Sequence, residues 1–409
     1  MSYKENAMGC VLRKETTSKG MSVLCVVLAV AMFSAVVSGC GGVRERTGGK
    51  ESIGRTWEKT FGPGEAHCVQ QMPDNGYVVA GEAFPHQNDH SSWLMKLDAG
   101  GNQLWRRTFQ LGKYGLLTWV DLTEDGGFVI AGSMEYEIYG GNLPWYSKID
   151  SSGKIVWQKT FQVNDQGGEA QFIQQTADGG YVIAGVAPTK WEGRIWLSRT
   201  SSTGDPIWLK TIELNPGRAM AIQTEDGGYA IASRTPGAEA VLVRTDSEGE
   251  PLWRRSYAKN AVVESIQQAD DNGFILGCST ATDEETVEAL LIKTDHKGNA
   301  VWKRTLGGES PIFTRCVQQT NDNGYILSGS TRSSEDEWSE AVLLKTDEKG
   351  SLLWKRTFGG EGNTHADCVQ QAEDGGYILV GSSSVFGPEI ETWVVKTDKD
   401  GRFTSSVDE

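Results

Sequence analysis

Seven times in 409 residues a tryptophan opens the same short element, and no other feature limits the fold as much. The copies are Trp57-Glu-Lys-Thr-Phe61, Trp105-Arg-Arg-Thr-Phe109, Trp157-Gln-Lys-Thr-Phe161, Trp208-Leu-Lys-Thr-Ile212, Trp253-Arg-Arg-Ser-Tyr257, Trp302-Lys-Arg-Thr-Leu306 and Trp354-Lys-Arg-Thr-Phe358. They stand 45 to 52 residues apart. Between them lie seven Asp-Gly-Gly or Asp-Asn-Gly turns, beginning at Asp74, Asp125, Asp178, Asp226, Asp271, Asp322 and Asp374. Such dipeptides between apolar runs are hairpin signals, because the turn needs residues that tolerate positive φ.

Each unit reads as four strands. Strand A is a Val-Gln-Gln segment, as at Cys316-Val-Gln-Gln-Thr320, and strand B follows the turn, as at Tyr325-Ile-Leu-Ser-Gly329. Strand C is Ala341 to Asp347, and strand D carries the tryptophan. Strands B and C are almost wholly apolar, so both faces of each sheet must be covered. No stretch has helical periodicity. Four-stranded units of this length, each packed between two neighbours, predict an all-β propeller of seven antiparallel blades over residues 55–401. The unit before Cys68 is a lone strand D, and the last unit ends after a strand C at Trp393–Asp398. The N-terminal strand, 55–61, is therefore expected to pair with 391–398 and close the ring, leaving 402–409 as a tail.

The repeated residues read as scaffold. The seven tryptophans are expected to pack between blades, the loss of any one costing about 3–5 kcal/mol. Each turn aspartate is expected to accept its own turn's N–H. The basic column Lys96, Lys148, Arg199, Arg244, Lys293, Lys345 and Lys396 is read as solvated or aspartate-paired. A glutamine ring, Gln71, Gln175, Gln223, Gln268, Gln319 and Gln371, is read as hydrogen-bonding packing near the axis. Cys68, Cys316 and Cys368 share one repeat position and read as small core residues, expected to stand too far apart to bridge.

The N-terminus differs. An apolar run from Met21 to Val37 follows Arg13, Lys14 and Lys19 and ends in Val37-Ser38-Gly39-Cys40. A basic segment, an apolar core and small residues describe a secretory leader. The ending resembles the bacterial lipobox, which implies cleavage after residue 39 and a lipid on Cys40. Residues 40–54 are then the lipidated cysteine and a tether, and the protein is expected outside the cytoplasm, at the outer membrane or cell surface. With a net charge of −15, the surface is unsuited to nucleic acid or anionic headgroups, and membrane contact is expected through the lipid alone.

The unit resembles bacterial and archaeal β-propeller lipoproteins with SBBP-like repeats and, more distantly, PQQ-type and WD-type propellers. The residues that carry this are Asp347-Glu-Lys-Gly-Ser-Leu-Leu-Trp354 and the Asp-Gly-Gly-Tyr turn. The resemblance implies the fold. A quinone cofactor is not expected, because quinoprotein propellers have a spacing one residue longer and a threonine before the glycine. Blade III departs further, with Ser201 in place of the aspartate.

No catalytic constellation or metal motif stands out among the five histidines. His86, Asp89 and His90 share one loop. His67, His365 and Asp367 precede strand A in adjacent blades, at the expected channel mouth. The variable B–C and D–A loops are the expected binding surface. In blades II and III they carry Glu135, Tyr136, Glu137, Tyr139 and Trp191, aromatics and carboxylates suited to a protein or glycan partner, a cationic one included. The sequence thus favours a non-enzymatic envelope scaffold without cofactor or metal. The alternative is an enzyme acting on an extracellular polymer or small molecule at the channel mouth.

Overall fold

The computed structural model describes residues 56–403, apart from 87–88, 113–114, 137–140, 165–166, 188–192, 215–218, 235–238, 282–285, 309, 333–337 and 388. Cys40 and its surroundings lie outside the described residues. Among those described there are strands and turns but no α-helix.

The strands form seven antiparallel sheets of four. Six blades take their strands in sequence, beginning with blade I at Glu65–Gln71, Tyr77–His86, Asp89–Leu97 and Gln103–Phe109. Blade VII joins Thr364–Gln371, Tyr377–Ser383 and Glu391–Thr397 to Trp57–Pro63 from the other end of the propeller. Trp57 pairs with Lys396 and Thr60 with Trp393, so the seam closes as the repeat count requires. Strand A of blade I packs in turn on blade VII. Phe403 lies against Phe358, 5.7 Å between rings, beyond the last strand.

The tryptophans join one blade to the next. Each strand-D indole meets the aromatic that opens strand B of the following blade, from Trp57–Tyr77 through Trp354–Tyr377, with ring centres 5.5–6.5 Å apart. The same indole covers the glycine of the following C–D turn. These glycines, such as Gly101 and Gly350, have φ near +75°, and an added Cβ would lie under 3 Å from the ring in most blades. The motif Asp-x-x-Gly thus reserves a flat seat for its neighbour's tryptophan. Yet apart from Trp57 these rings are only half-buried. Fully buried tryptophans lie on strand C instead, at Trp93, Trp145, Trp196 and Trp393, where the sequence pattern raised no signal.

The basic column is aspartate-paired in all seven blades. Lys148 reaches Asp125 at 2.8 Å, Lys293 reaches Asp271 at 2.7 Å, and Arg199 and Arg244 bind Asp178 and Asp226. The aspartates also accept their own turn's N–H, as from Gly127 to Asp125 at 3.0 Å. Burial alone would raise the Asp125 carboxyl; its bonds to Lys148, Thr123 and Gly127 bring it down to about 2. Ser201 keeps the role of the missing turn aspartate, accepting from the N–H groups of Thr203 (3.3 Å) and Asp205 (3.1 Å).

Around the axis, glutamines link neighbouring inner strands. Gln370 accepts from the N–H of Gln71 at 2.6 Å, and Gln318 does the same for Gln371. Gln175 and Gln371 accept from the preceding blade's A–B turn. The cysteine column obeys this rule too: Cys68 Sγ donates to Val120 O and Cys316 Sγ to Val369 O. The thiols are free.

Candidate functional site

Strand A carries one extra residue near its start in six blades. Between Ala66 and Cys68 the register slips, so His67 is a bulge; equivalent slips surround Thr118, Gln171, Glu264, Arg315 and Asp367. A bulge re-aims the inserted side chain without disturbing the ladder beyond it. In five of these blades a strand-B glycine faces the distortion. At Gly81 an added Cβ would come 2.2 Å from Glu65 O, and at Gly381 2.0 Å from His365 O. The glycine admits the pinched backbone, and bulged residues meet the neighbouring blades, as Thr118 meets Ala170 O and Arg315 meets Asp367.

The bulged residues of blades V, VI, VII and I are Glu264, Arg315, Asp367 and His67, which form a charged arc. Arg315 lies 3.9 Å from Glu264 and 3.5 Å from Asp367. Next to Asp367, the His67 imidazole and the Glu65 carboxylate complete a group whose nearest donor atoms all lie within 4.8 Å of one another. Behind His67, Glu82 sits 3.1 Å from Nε2. The carboxylates are largely covered: Glu82, Glu264 and Asp367 keep 10%, 13% and 18% of their side-chain exposure, while Arg315 keeps 44%.

Covering so many like charges perturbs them. Burial raises the Glu65 carboxyl pKa; His67 and Arg315 oppose this, and Asp367 and Glu82 add to it. Burial disfavours a charged His67, but its bond to Glu82 and the charges of Asp367, Glu82 and Glu65 prevail, so its pKa is raised. His365 goes the other way: burial lowers it and Arg315 adds to the effect, against Asp367.

The three mouth residues read from the sequence therefore separate. His67 and Asp367 join across the seam. His365 points to Ser339 Oγ, 3.3 Å away, and is outside the group. Ser339 is itself tied to Asn363 Oδ1 through both its N–H and its hydroxyl, at 2.9 Å each. This resembles a lock between blades VI and VII more than an activated nucleophile. Glu65 and Glu82 were missed. Glu82 stands in a strand-B column that holds serine at 133, 279, 330 and 382, and that departure was the available signal.

Of the blade II and III patch, Glu135 packs against Gly112, and its N–H donates to Leu111 O at 2.8 Å. The backbone of Tyr136 pairs with Gly141. The Tyr136 side chain, Glu137, Tyr139 and Trp191 lie outside the described residues, as do the side chains of His86, Asp89 and His90.

No family model matches the chain, and no curated protein matches it in sequence. Solved structures match its fold. Puromycin hydrolase aligns with a TM-score of 0.54 and 15% identity over 83% of this chain; the chain spans about half of that enzyme, 53%. Sqt1 from Chaetomium thermophilum, solved bound to the N-terminus of a ribosomal protein, aligns with a TM-score of 0.50 and 12% identity, over 82% of this chain and 97% of that one. The β-propeller domain of the Trilobed protease from Pyrococcus furiosus gives 0.48 and 10%, over 83% and 98%. At these identities the likeness concerns fold alone. Blade count and seam make the chain a seven-bladed β-propeller.

Proposed function

We propose that this chain is a non-catalytic binding scaffold, held at the cell envelope by lipid on Cys40, that takes a protein partner at the loop-bearing end of the ring. One observation carries this reading. Four adjacent blades use their bulges to gather Glu264, Arg315, Asp367 and His67, with Glu65 and Glu82, at the mouth, whereas the opposite end repeats the same turns. Side chains held by rigid strands lose little entropy on binding, and the acidic excess suits a partner's basic segment. Sqt1, a propeller of similar fold, was solved with a protein segment bound, which supports a partner of that class. The aromatics of blades II and III would extend the contact outward.

Capture from native envelope tests the reading. Wild type, an Asp367→Asn/Glu65→Gln variant and a Tyr136→Ala/Tyr139→Ala/Trp191→Ala variant are compared for one partner. Loss with the first variant, and weaker capture at higher salt, supports the mouth. Loss only with the second moves the site to the outer loops. Mass spectrometry of the processed protein tests the anchor: an unmodified N-terminus at any residue other than Cys40 removes it.

A further inference from the structure

We propose that the seam between blades I and VII holds a divalent transition-metal ion, of the zinc or manganese class, between Glu65, His67 and Asp367. One imidazole and two carboxylates form the nitrogen–oxygen donor set such ions prefer, and the three donor atoms already lie within 4.8 Å of one another. Closing on a metal needs only side-chain adjustment, because all three residues sit on the adjacent inner strands of two neighbouring blades, Glu65–Gln71 and Thr364–Gln371.

The surroundings match a ligating histidine. A metal-bound imidazole usually gives its other ring N–H to a carboxylate, which fixes the ring and raises its basicity. Glu82 Oε1, 3.1 Å from His67 Nε2, is placed for that role. Glu82 is then a positioning residue, and Nδ1 keeps the lone pair. Charge points the same way. Glu65 and Asp367 bring two carboxylates beside His67, and the guanidinium of Arg315 reaches Asp367 on the side facing blade VI. A dication would offset the two ligating carboxylates. Three protein ligands also leave coordination positions open to water or a partner's oxygen.

Metal binding rests on the functional reading above only in taking the mouth as open to solutes. The test uses metal alone, so its failure and the failure of partner capture are separate outcomes. Chelator-stripped mature protein is titrated with Zn²⁺, Mn²⁺, Mg²⁺ and Ca²⁺ by calorimetry, in a His86→Ala/His90→Ala background that removes the other histidine pair. One equivalent of Zn²⁺ or Mn²⁺ is expected to bind in preference to Mg²⁺ and Ca²⁺. His67→Ala or Asp367→Asn should weaken it at least about tenfold, and Glu82→Gln about tenfold through the histidine. His365→Ala should leave it unchanged. Arg315→Gln, which removes the resident cation, should tighten it. Metal-free melting of each variant separates lost binding from lost fold. Saturable binding absent from the background protein, or equal affinity after His67→Ala in a folded variant, overturns the assignment.

Discussion

Two rings of side chains circle the same inner strands, three or four residues apart, and they follow different rules. The glutamine ring repeats nearly unchanged, and each member meets a backbone group of a neighbouring blade, as Gln371 meets Asn321 N–H at 2.8 Å. The bulge ring carries His67, Thr118, Gln171, Glu264, Arg315 and Asp367, six residue types on six blades. A backbone partner is the same in every blade, so the residue that satisfies it is repeated. In the bulge ring the partner differs from blade to blade, a neighbouring backbone group for Thr118 and Gln171 and charged side chains for His67, Glu264, Arg315 and Asp367, so the residue's chemistry can vary with the partner. Sevenfold regularity marks what holds the ring, and departure from it marks where the ring differs from others of its kind.

Changes to the repeated features should cost stability, and changes to the exposed charged residue of the bulge ring, Arg315, should not. The largest effect is expected at the seam. A chain starting at residue 64 lacks the outer strand of blade VII and should melt more than about 10 °C below one starting at residue 55. Coincident melting curves would show that the seam contributes nothing. Next comes Trp302→Ala, which loses contact with Tyr325 and Gly350. Because the ring is half-exposed, denaturant titration should show a loss of about 2–3 kcal/mol, less than a fully buried tryptophan would give.

A smaller, pH-dependent effect is expected at Asp121, which takes the place of glutamine in blade II. Burial pushes its carboxyl up to about 7, against hydrogen bonds from the backbone of Leu122 and Gln175. The folded value lies above the unfolded value of about 3.9, so its contribution to stability is full below about pH 4 and is lost as pH rises through 7. Asp121→Gln restores the repeat and should flatten that dependence, melting a few degrees higher than wild type at pH 8 and not at pH 4. Equal melting at pH 8 would show that Asp121 is no weak point. Gln318→Ala leaves the Gln371 N–H without its acceptor and should cost about 1–2 kcal/mol. Arg315→Gln, in the bulge ring, should change stability by less than about 0.5 kcal/mol; a loss as large as that of Gln318→Ala would erase the contrast.

The same contrast explains what could be read from the sequence. Blade number, strand order and the seam follow from motifs that recur at one spacing, since every copy answers the same contacts. The ion pairs between strand C and the A–B turn were readable as one of two options, and geometry selects the paired one. The bulges escaped because an inserted residue looks like ordinary alternation. Their one trace is the strand-B glycine, at 81, 132, 185, 329 and 381, whose missing side chain is needed only if the facing strand is pinched. Without the bulge, His365 and Asp367 looked like partners at the mouth. With it, Asp367 turns to His67 while His365 turns to Ser339.

The pairing of Thr60 with Trp393 also orders events in time. All other strand pairs join neighbours in sequence and can form as soon as a hairpin exists. The seam joins residues from opposite ends of the propeller and carries the greatest loop-closure entropy in the molecule. Blades I to VI can therefore assemble locally, while blade VII stays three-stranded with an open edge until the first strand finds it. That edge, the flank of Glu391–Thr397, is the surface on which a folding intermediate would capture the first strand of another copy, making ring closure the step at which a monomer and a strand-swapped chain of monomers compete.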